Sequence, residues 1–355
     1  MQATFITSTP MNVERGSGTF VGIDTLTRSL RELGWTIDIL TPEFHLPVYT
    51  AERILFNESL RFTPNLKEPD LSVGFDLDGY SLSAPLRRKP HIASIKGVVA
   101  DEMRFEKGLT RATMALQARL EGLHVKRANF VVTTSLYSAS RLKDLYGIPK
   151  VHAIIPEMID LARWRMALSE CDGKRDPEKF VVLCVCRFYP RKRVELLLHA
   201  AHMLQERIRA LEIRIVGGGP ESGRLLKLRE AMSLANVTIR EDVAPSELVQ
   251  EYRNCDVFCL PSVQEGFGIV FLEAMASAKP IIATRAAAVP EVVKHGILTA
   301  PDSVEEIAKA IQELHENTSM RHDLGQAGRE FVQNFDSARV AKLFATEVAE
   351  MLRQS

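Results

Sequence analysis

Short apolar runs alternate with stretches of helix length along the whole chain, and this rhythm leaves few architectures open. Phe5-Ile6-Thr7 is followed by a polar, Gly-containing loop from Met11 to Gly18. Ile23, Leu26, Leu30 and Leu33 then recur at helical spacing over 19–33, and Gly34 stands where a helix stops. Trp35 to Leu40 alternates and then runs apolar, which completes a βαβ unit. Further strands are predicted at 71–75, 91–95, 130–132 and 151–155, with helices at 103–126 and 138–145. Residues 161–179 are polar and charged, with Gly173 and Pro177, and read as a linker. Beyond it, strands are predicted at 181–185, 211–216, 237–239, 257–260, 281–283 and 297–298 with helices between them. An amphipathic helix over 337–352 closes the chain. Strands alternating with helices imply parallel sheets covered on both faces. The expectation is therefore α/β: two Rossmann-like lobes, residues 1–165 and 166–335, facing across a cleft at the carboxyl ends of their strands. The segment 336–355 is expected to cross back onto the first lobe.

Composition narrows the function classes. Apolar residues make up 46% and charged residues 25% of 355 residues, the proportions of a globular protein. Lys plus Arg equals Asp plus Glu at 45 each, so a generic nucleic-acid partner is not expected. There is no apolar run long enough for a transmembrane helix, and the N-terminus lacks the basic and apolar regions of a secretory signal. Five cysteines form no disulfide framework, so a reduced, cytoplasmic setting is expected.

The most informative segment is Pro261 to Met275. It follows a buried strand, contains Glu265-Gly266-Phe267-Gly268-Ile269, and opens a helix near Gly268. A strand, a Gly-rich loop and a helix N-terminus form an anion site, because free backbone N–H groups and the helix dipole favour a phosphate there. Glu273, more than a turn inside the helix, has the acceptor capacity to hold a vicinal diol such as a ribose. Glu265 is placed to do the same for sugar hydroxyls; the plainer alternative makes both carboxylates solvent-facing. Val216-Gly217-Gly218-Gly219-Pro220 is a second strand–helix turn, whose glycines permit close backbone approach to a ligand. Arg15-Gly16-Ser17-Gly18-Thr19 precedes the first helix, but glycines at 16, 18 and 22 do not make the dinucleotide fingerprint.

The Glu265 to Glu273 segment resembles the Glu-x7-Glu motif of retaining glycosyltransferases of the family 4 type, which have the GT-B fold. The resemblance spans most of the chain and is strongest from Phe180 to Val293. Cys186-Arg187-Phe188-Tyr189-Pro190-Arg191-Lys192 matches the family's Arg and Lys, which implies that Arg187 and Lys192 bind the donor diphosphate. Two fixed cations also suit the chemistry, since the diphosphate gains charge as the glycosidic bond breaks. The resemblance further implies that Glu273 holds the ribose and Glu265 the sugar. Gly266, Phe267, Gly268 and Ile269 then present the helix start to the donor, with Gly217 and Gly219 beside the nucleotide. Gly16, Ser17 and Gly18 approach the diphosphate from the first lobe. The implied function is glycosyl transfer, with retention, from a UDP- or GDP-sugar to a sugar, glycolipid or other hydroxyl acceptor. No cofactor and no metal are required. The alternatives are a nucleotide-sugar epimerase on the same fold and a non-catalytic glycan- or partner-binding protein.

Several residues depart from the family pattern. A His near the reacting sugar is replaced by Lys96 in Pro90 to Gly97, which either brings a cation beside donor sugar or acceptor or keeps a structural place. Asn-Gly becomes Glu157-Met158, and Gly-Gly becomes Ala286-Ala287-Ala288. Asp76-Leu77-Asp78 resembles a metal-holding Asp-x-Asp, but lining the acceptor side or a plain loop role suits two Rossmann-like lobes better. The pairs Cys184/Cys186 and Cys255/Cys259 read as buried hydrophobes rather than zinc ligands. The stretch 103–127 carries six Lys or Arg and two Glu. A basic amphipathic helix can lie on an anionic membrane, so peripheral membrane contact is an expectation beside a packed helix with a solvated basic side.

Overall fold

The computed structural model describes residues 1–10, 18–44, 46–62, 69–82, 89–171 and 175–354. Arg15, Gly16, Ser17 and Gly173 lie outside the described residues. The chain divides into two compact units, residues 1–158 with 337–355, and residues 159–336.

The first unit holds strands β1 (Gln2–Ile6), β2 (Thr36–Leu40), β3 (Leu71–Phe75), β4 (His91–Ile95), β5 (Phe130–Thr133) and β6 (Ala153–Ile154). They form one sheet in the order β2-β1-β3-β4-β5-β6, with every pairing parallel. β3 and β4 are buried at every position, as strands covered on both faces must be. Phe5 and Phe75 meet edge to face at 5.3 Å in the core. The helix Ser337–Arg353 buries Val340, Phe344, Val348 and Met351 in this same core, with Ile23, Leu26 and Leu30 of the helix Gly18–Glu32. Apolar residues at helical spacing on both helices account for that contact.

The second unit holds β7 (Phe180–Val185), β8 (Leu211–Val216), β9 (Val237–Arg240), β10 (Val257–Leu260), β11 (Ile281–Thr284) and β12 (Ile297–Thr299). Its order is β12-β11-β10-β7-β8-β9. Read from β9, this is the doubly wound 3-2-1-4-5-6 arrangement, with its direction reversing between β7 and β10. Val257 pairs with Val182 and Phe258 with Leu183 across that junction.

Two sequence expectations need correcting, and one helix went unpredicted. Residues 161–170 are a helix of the second unit rather than linker. The Asp160 carboxylate caps it by accepting from Arg163 N, and Trp164 packs edge on to Tyr252 at 5.5 Å. The stretch 103–126 is broken: Met103–Phe105 is a 3-10 turn and the long helix runs Gly108–Arg127. All six Lys and Arg of 103–127 are exposed, yet the helix buries Glu121 and His124 and leaves Leu109, Leu116 and Leu123 in solvent, so it lacks a clean apolar face. The helix Tyr49–Ser59 gave no sequence signal, because the face it buries carries Glu52, Arg53 and Asn57 beside Phe56. No described helix is long and apolar enough to cross a membrane.

Phe344 is 1% exposed. Phe344→Ala is expected to cost ~3–5 kcal/mol through lost burial and the cavity left behind, read as a lower urea midpoint with an unchanged slope.

Candidate functional site

The carboxyl ends of β7, β8 and β10 bring together the residues assigned on the second unit. β7 runs through Cys186 into the turn Pro190–Lys192, where Pro190 fixes the first backbone angle and Arg193 ends the turn in the left-handed region at φ 54°. Arg187 leaves this loop exposed, and its side chain makes no hydrogen bond or ion pair among the described residues. Lys192 points back toward the loop after β10, and its Nζ donates to Glu265 Oε1 at 2.6 Å. The two loops are also joined by their main chains. Val263 N donates to Arg191 O at 3.0 Å, and Ser262 Oγ donates to the same carbonyl at 3.3 Å. Lys192 and Glu265, 73 residues apart in sequence, are therefore held by strand neighbours and a shared turn.

Gly268 precedes the helix Ile269–Ala276 at φ 93°, where a side chain would strain the backbone and a Cβ would also strike the Phe271 ring at 2.6 Å. The helix start therefore follows directly on the loop. Gly266, Gly268 and Ile269 are partly exposed there, while the Phe267 side chain is turned into the core against Phe335 at 5.5 Å. Only the main chain of Phe267 is left for a ligand. Glu273 accepts from the Tyr252 hydroxyl at 2.7 Å through Oε2. Burial pushes its carboxyl up to about 6, against the opposing pull of that hydrogen bond. Tyr252 is a site residue that sequence reading missed; nothing in its local pattern separates it from a core aromatic.

The turn after β8 packs on the neighbouring loop. A Cβ on Gly217 would stand 1.8 Å from the Cys186 carbonyl oxygen, and one on Gly219 would stand 2.7 Å from Phe188 N. Phe188 N donates to Gly218 O and Glu221 N to Phe188 O, both at 3.0 Å. Both glycines thus let the turn pack on the loop that carries Arg187. The Ala286–Ala288 run also reaches the site, with Ala288 N donating to Glu265 O at 3.3 Å and Ala287 at φ 50°.

On the first unit, described by itself, Gly18 opens the helix Gly18–Glu32. Lys96 follows β4 and is not a lone cation: its Nζ lies 3.0 Å from Glu157 Oε1, each side chain only 6% exposed. Asp76 follows β3 at φ 54° and accepts from Lys96 N at 2.8 Å. Its carboxyl is pushed up to about 6, mainly by burial. Asp78 is fully buried and takes hydrogen bonds from Ser8, Asn57 and Arg53, so it serves the loop rather than a ligand. Cys184, Cys186, Cys255 and Cys259 are buried free thiols.

Residues 171–331 match the family model for glycosyl transferases group 1. Those residues lie within the second unit. Among curated relatives, the GDP-mannose-dependent alpha-(1-6)-phosphatidylinositol monomannoside mannosyltransferase of Mycobacterium tuberculosis is 34% identical over 217 residues, covering 57% of this chain and 56% of that protein. The chain thus matches little more than half the length of that relative. The protein of the same name from Mycolicibacterium smegmatis is 29% identical over 288 residues, covering 75% of this chain and 73% of that protein. Sucrose-phosphate synthase from Thermosynechococcus elongatus superposes with a TM-score of 0.82 at 21% identity, over 100% of both chains. That likeness shows the fold: two α/β units of the GT-B type.

Because the Glu273 carboxyl titrates at about 6 in the folded chain, above its ordinary 4.5, the folded state binds that proton more tightly than the unfolded chain does. Its contribution to stability is greatest below pH 4.5 and is lost as pH rises through about 6. Glu273→Gln is expected to remove this slope, seen as a difference between wild-type and variant urea curves from pH 4.5 to 7.

Proposed function

We propose that this chain is a glycosyltransferase that moves a sugar from a nucleotide-diphosphate donor to a hydroxyl acceptor, with retention of configuration. The observation that carries this reading is the pairing of Lys192 with Glu265 at the carboxyl ends of β7 and β10, where the strand order reverses, with Arg187 on the loop of Lys192 and Glu273 on the helix that follows Glu265. Doubly wound sheets bind ligands at that place.

Each group has a task in this reading. Arg187 and Lys192 bind the diphosphate and stabilise the charge that grows on it as the glycosidic bond breaks. The main-chain N–H groups at the start of the helix Ile269–Ala276 add to that field. Glu273 accepts from the ribose hydroxyls, and Tyr252 fixes the direction of its carboxylate. Glu265 accepts from the sugar. Its bond to Lys192 couples the two ends of the donor, since a diphosphate that draws on Lys192 changes the charge balance at Glu265. The departing phosphate oxygen then helps to deprotonate the acceptor hydroxyl on the same face, so that no protein carboxylate need act as nucleophile. The scheme calls on no metal.

The donor we favour is GDP-mannose, because both mycobacterial relatives are named as GDP-mannose-dependent. A UDP-sugar is the second choice. A sugar or glycolipid acceptor follows from the same names, and would bring the protein to a membrane surface from the cytoplasmic side. The first unit is the acceptor-binding unit in this reading.

Thermal unfolding with GDP, UDP, ADP and CDP tests the donor site. One nucleotide at 100 times its dissociation constant is expected to stabilise the wild type by ~2.7 kcal/mol, and Arg187→Ala to lose most of that gain. No stabilisation by any of the four would count against the reading. In turnover of GDP-mannose, Glu265→Ala is expected to fall by ~10²-fold or more, the scale of losing one transition-state contact; turnover equal to wild type would remove Glu265 from the mechanism.

A further inference from the structure

At the carboxyl edge of the first unit's sheet, two buried carboxylates are treated in opposite ways. Asp78 accepts from Ser8 N at 2.7 Å, Ser8 Oγ at 2.8 Å, Asn57 Nδ2 at 2.8 Å and Arg53 at 3.2 Å. Its lone pairs are spent on holding the loop after β1. Glu157 is just as deeply placed, at 4% exposure, but only Oε1 has a partner, Lys96 Nζ at 3.0 Å. Oε2 is closed off from solvent and has no hydrogen-bond donor among the described residues. Its place exists because residue 22 is glycine: a Cβ there would stand 2.4 Å from Oε2.

Lys96 is held as firmly. Its N–H donates to Asp76 Oδ1 at 2.8 Å and its carbonyl accepts from Thr134 Oγ1 at 3.4 Å, so the residue is pinned from the ends of both neighbouring strands. Among the described residues, Glu157 is the ammonium's one ion-pair partner, and the Phe75 ring lies 5.9 Å away, which leaves N–H groups to give. A buried ion pair is a weak source of stability, and a buried acceptor left unpaired adds a cost that no protein donor offsets. Folding alone therefore does not account for this arrangement.

We propose that Glu157 is a specificity-determining positioning residue, which holds Lys96 and cancels its charge so that the pair receives a hydroxyl of an uncharged sugar or polyol. The chemistry selects that class. An ammonium only donates and a carboxylate only accepts; a hydroxyl does both and satisfies the two together. A carboxylate has no hydrogen for Glu157, and a carboxylate or a phosphate meets its charge. An amine has no lone pair for Lys96 once protonated. The contrast with Arg187 is direct: among the described residues that cation is unpaired and suits an anion, whereas Lys96 is paired and excludes one. This inference rests on the glycosyltransferase reading, in which the hydroxyl comes from the transferred sugar or from the acceptor.

Inorganic phosphate is the probe for the charge. Glu157→Gln is expected to bind phosphate at least tenfold more tightly than wild type, read from the phosphate dependence of thermal unfolding. The double variant Glu157→Gln/Lys96→Met is expected to return to the wild-type dependence, which separates Lys96 from the diphosphate site shared by all three proteins. Should Glu157→Gln fail to fold, Gly22→Ala displaces the carboxylate by crowding Oε2 and is expected to give a smaller gain of the same sign. No gain in either variant, or a gain that survives Lys96→Met, overturns the proposal.

GDP-mannose consumption by Lys96→Met then locates the hydroxyl. Loss of at least tenfold in donor hydrolysis without acceptor places it on the transferred sugar, and loss in transfer alone places it on the acceptor. An unchanged Lys96→Met overturns the proposal. A wild type that consumes no nucleotide sugar counts against the glycosyltransferase reading instead, while the phosphate experiment still decides the role of Glu157.

Discussion

The pairing of β7 with β10 is the constraint on which the rest of the second unit depends. These strands are far apart in sequence, yet Val182 lies beside Val257 and Leu183 beside Phe258. Both are buried throughout, so apolar burial on the two faces of the sheet drives the pairing. Once the strands are neighbours, the loops that leave them must share one crevice. The main-chain bond from Val263 to Arg191 and the ion pair from Lys192 to Glu265 follow from that closeness. The glycines after β8 extend the same logic, because Gly217 and Gly219 allow a third loop to lie on the one that carries Arg187. The proposed donor site is thus built on apolar strands.

Much of this was legible in the sequence. β3, β4 and β10 stand where short apolar runs place them, because a strand buried on both faces has to be apolar at nearly every position. The helix start after Gly268 was legible too, since a loop glycine followed by apolar residues marks where a left-handed turn ends and a helix begins. The helix Tyr49–Ser59 was not, because its buried face is polar and periodicity detects only apolar faces. Residues 161–170 were misread for a related reason: the helix is mostly exposed, and its anchors are one N-cap carboxylate and one Trp.

The site was legible in its charged members and illegible in their partners. Arg187, Lys192, Glu265 and Glu273 carry a spacing that can be read along the chain. Tyr252 and Glu157 act through contacts across the fold, and no local pattern announces them. Lys96 and Glu157 each stood out as a departure from the family pattern, but only the structure places one beside the other. Two changes that look independent in sequence are one exchange of charge in space. Asp76 and Asp78 make the reverse point, since neighbours in sequence have separate roles: Asp78 is consumed by Ser8, Asn57 and Arg53, while Asp76 supports the backbone of Lys96.

A crystal structure of the chain with GDP-mannose tests the central claim most directly. The account predicts diphosphate oxygens within hydrogen-bond distance of Arg187 and Lys192, the ribose hydroxyls on Glu273, and the sugar hydroxyls on Glu265. A nucleotide bound away from the ends of β7 and β10, or a diphosphate that touches neither cation, would contradict it.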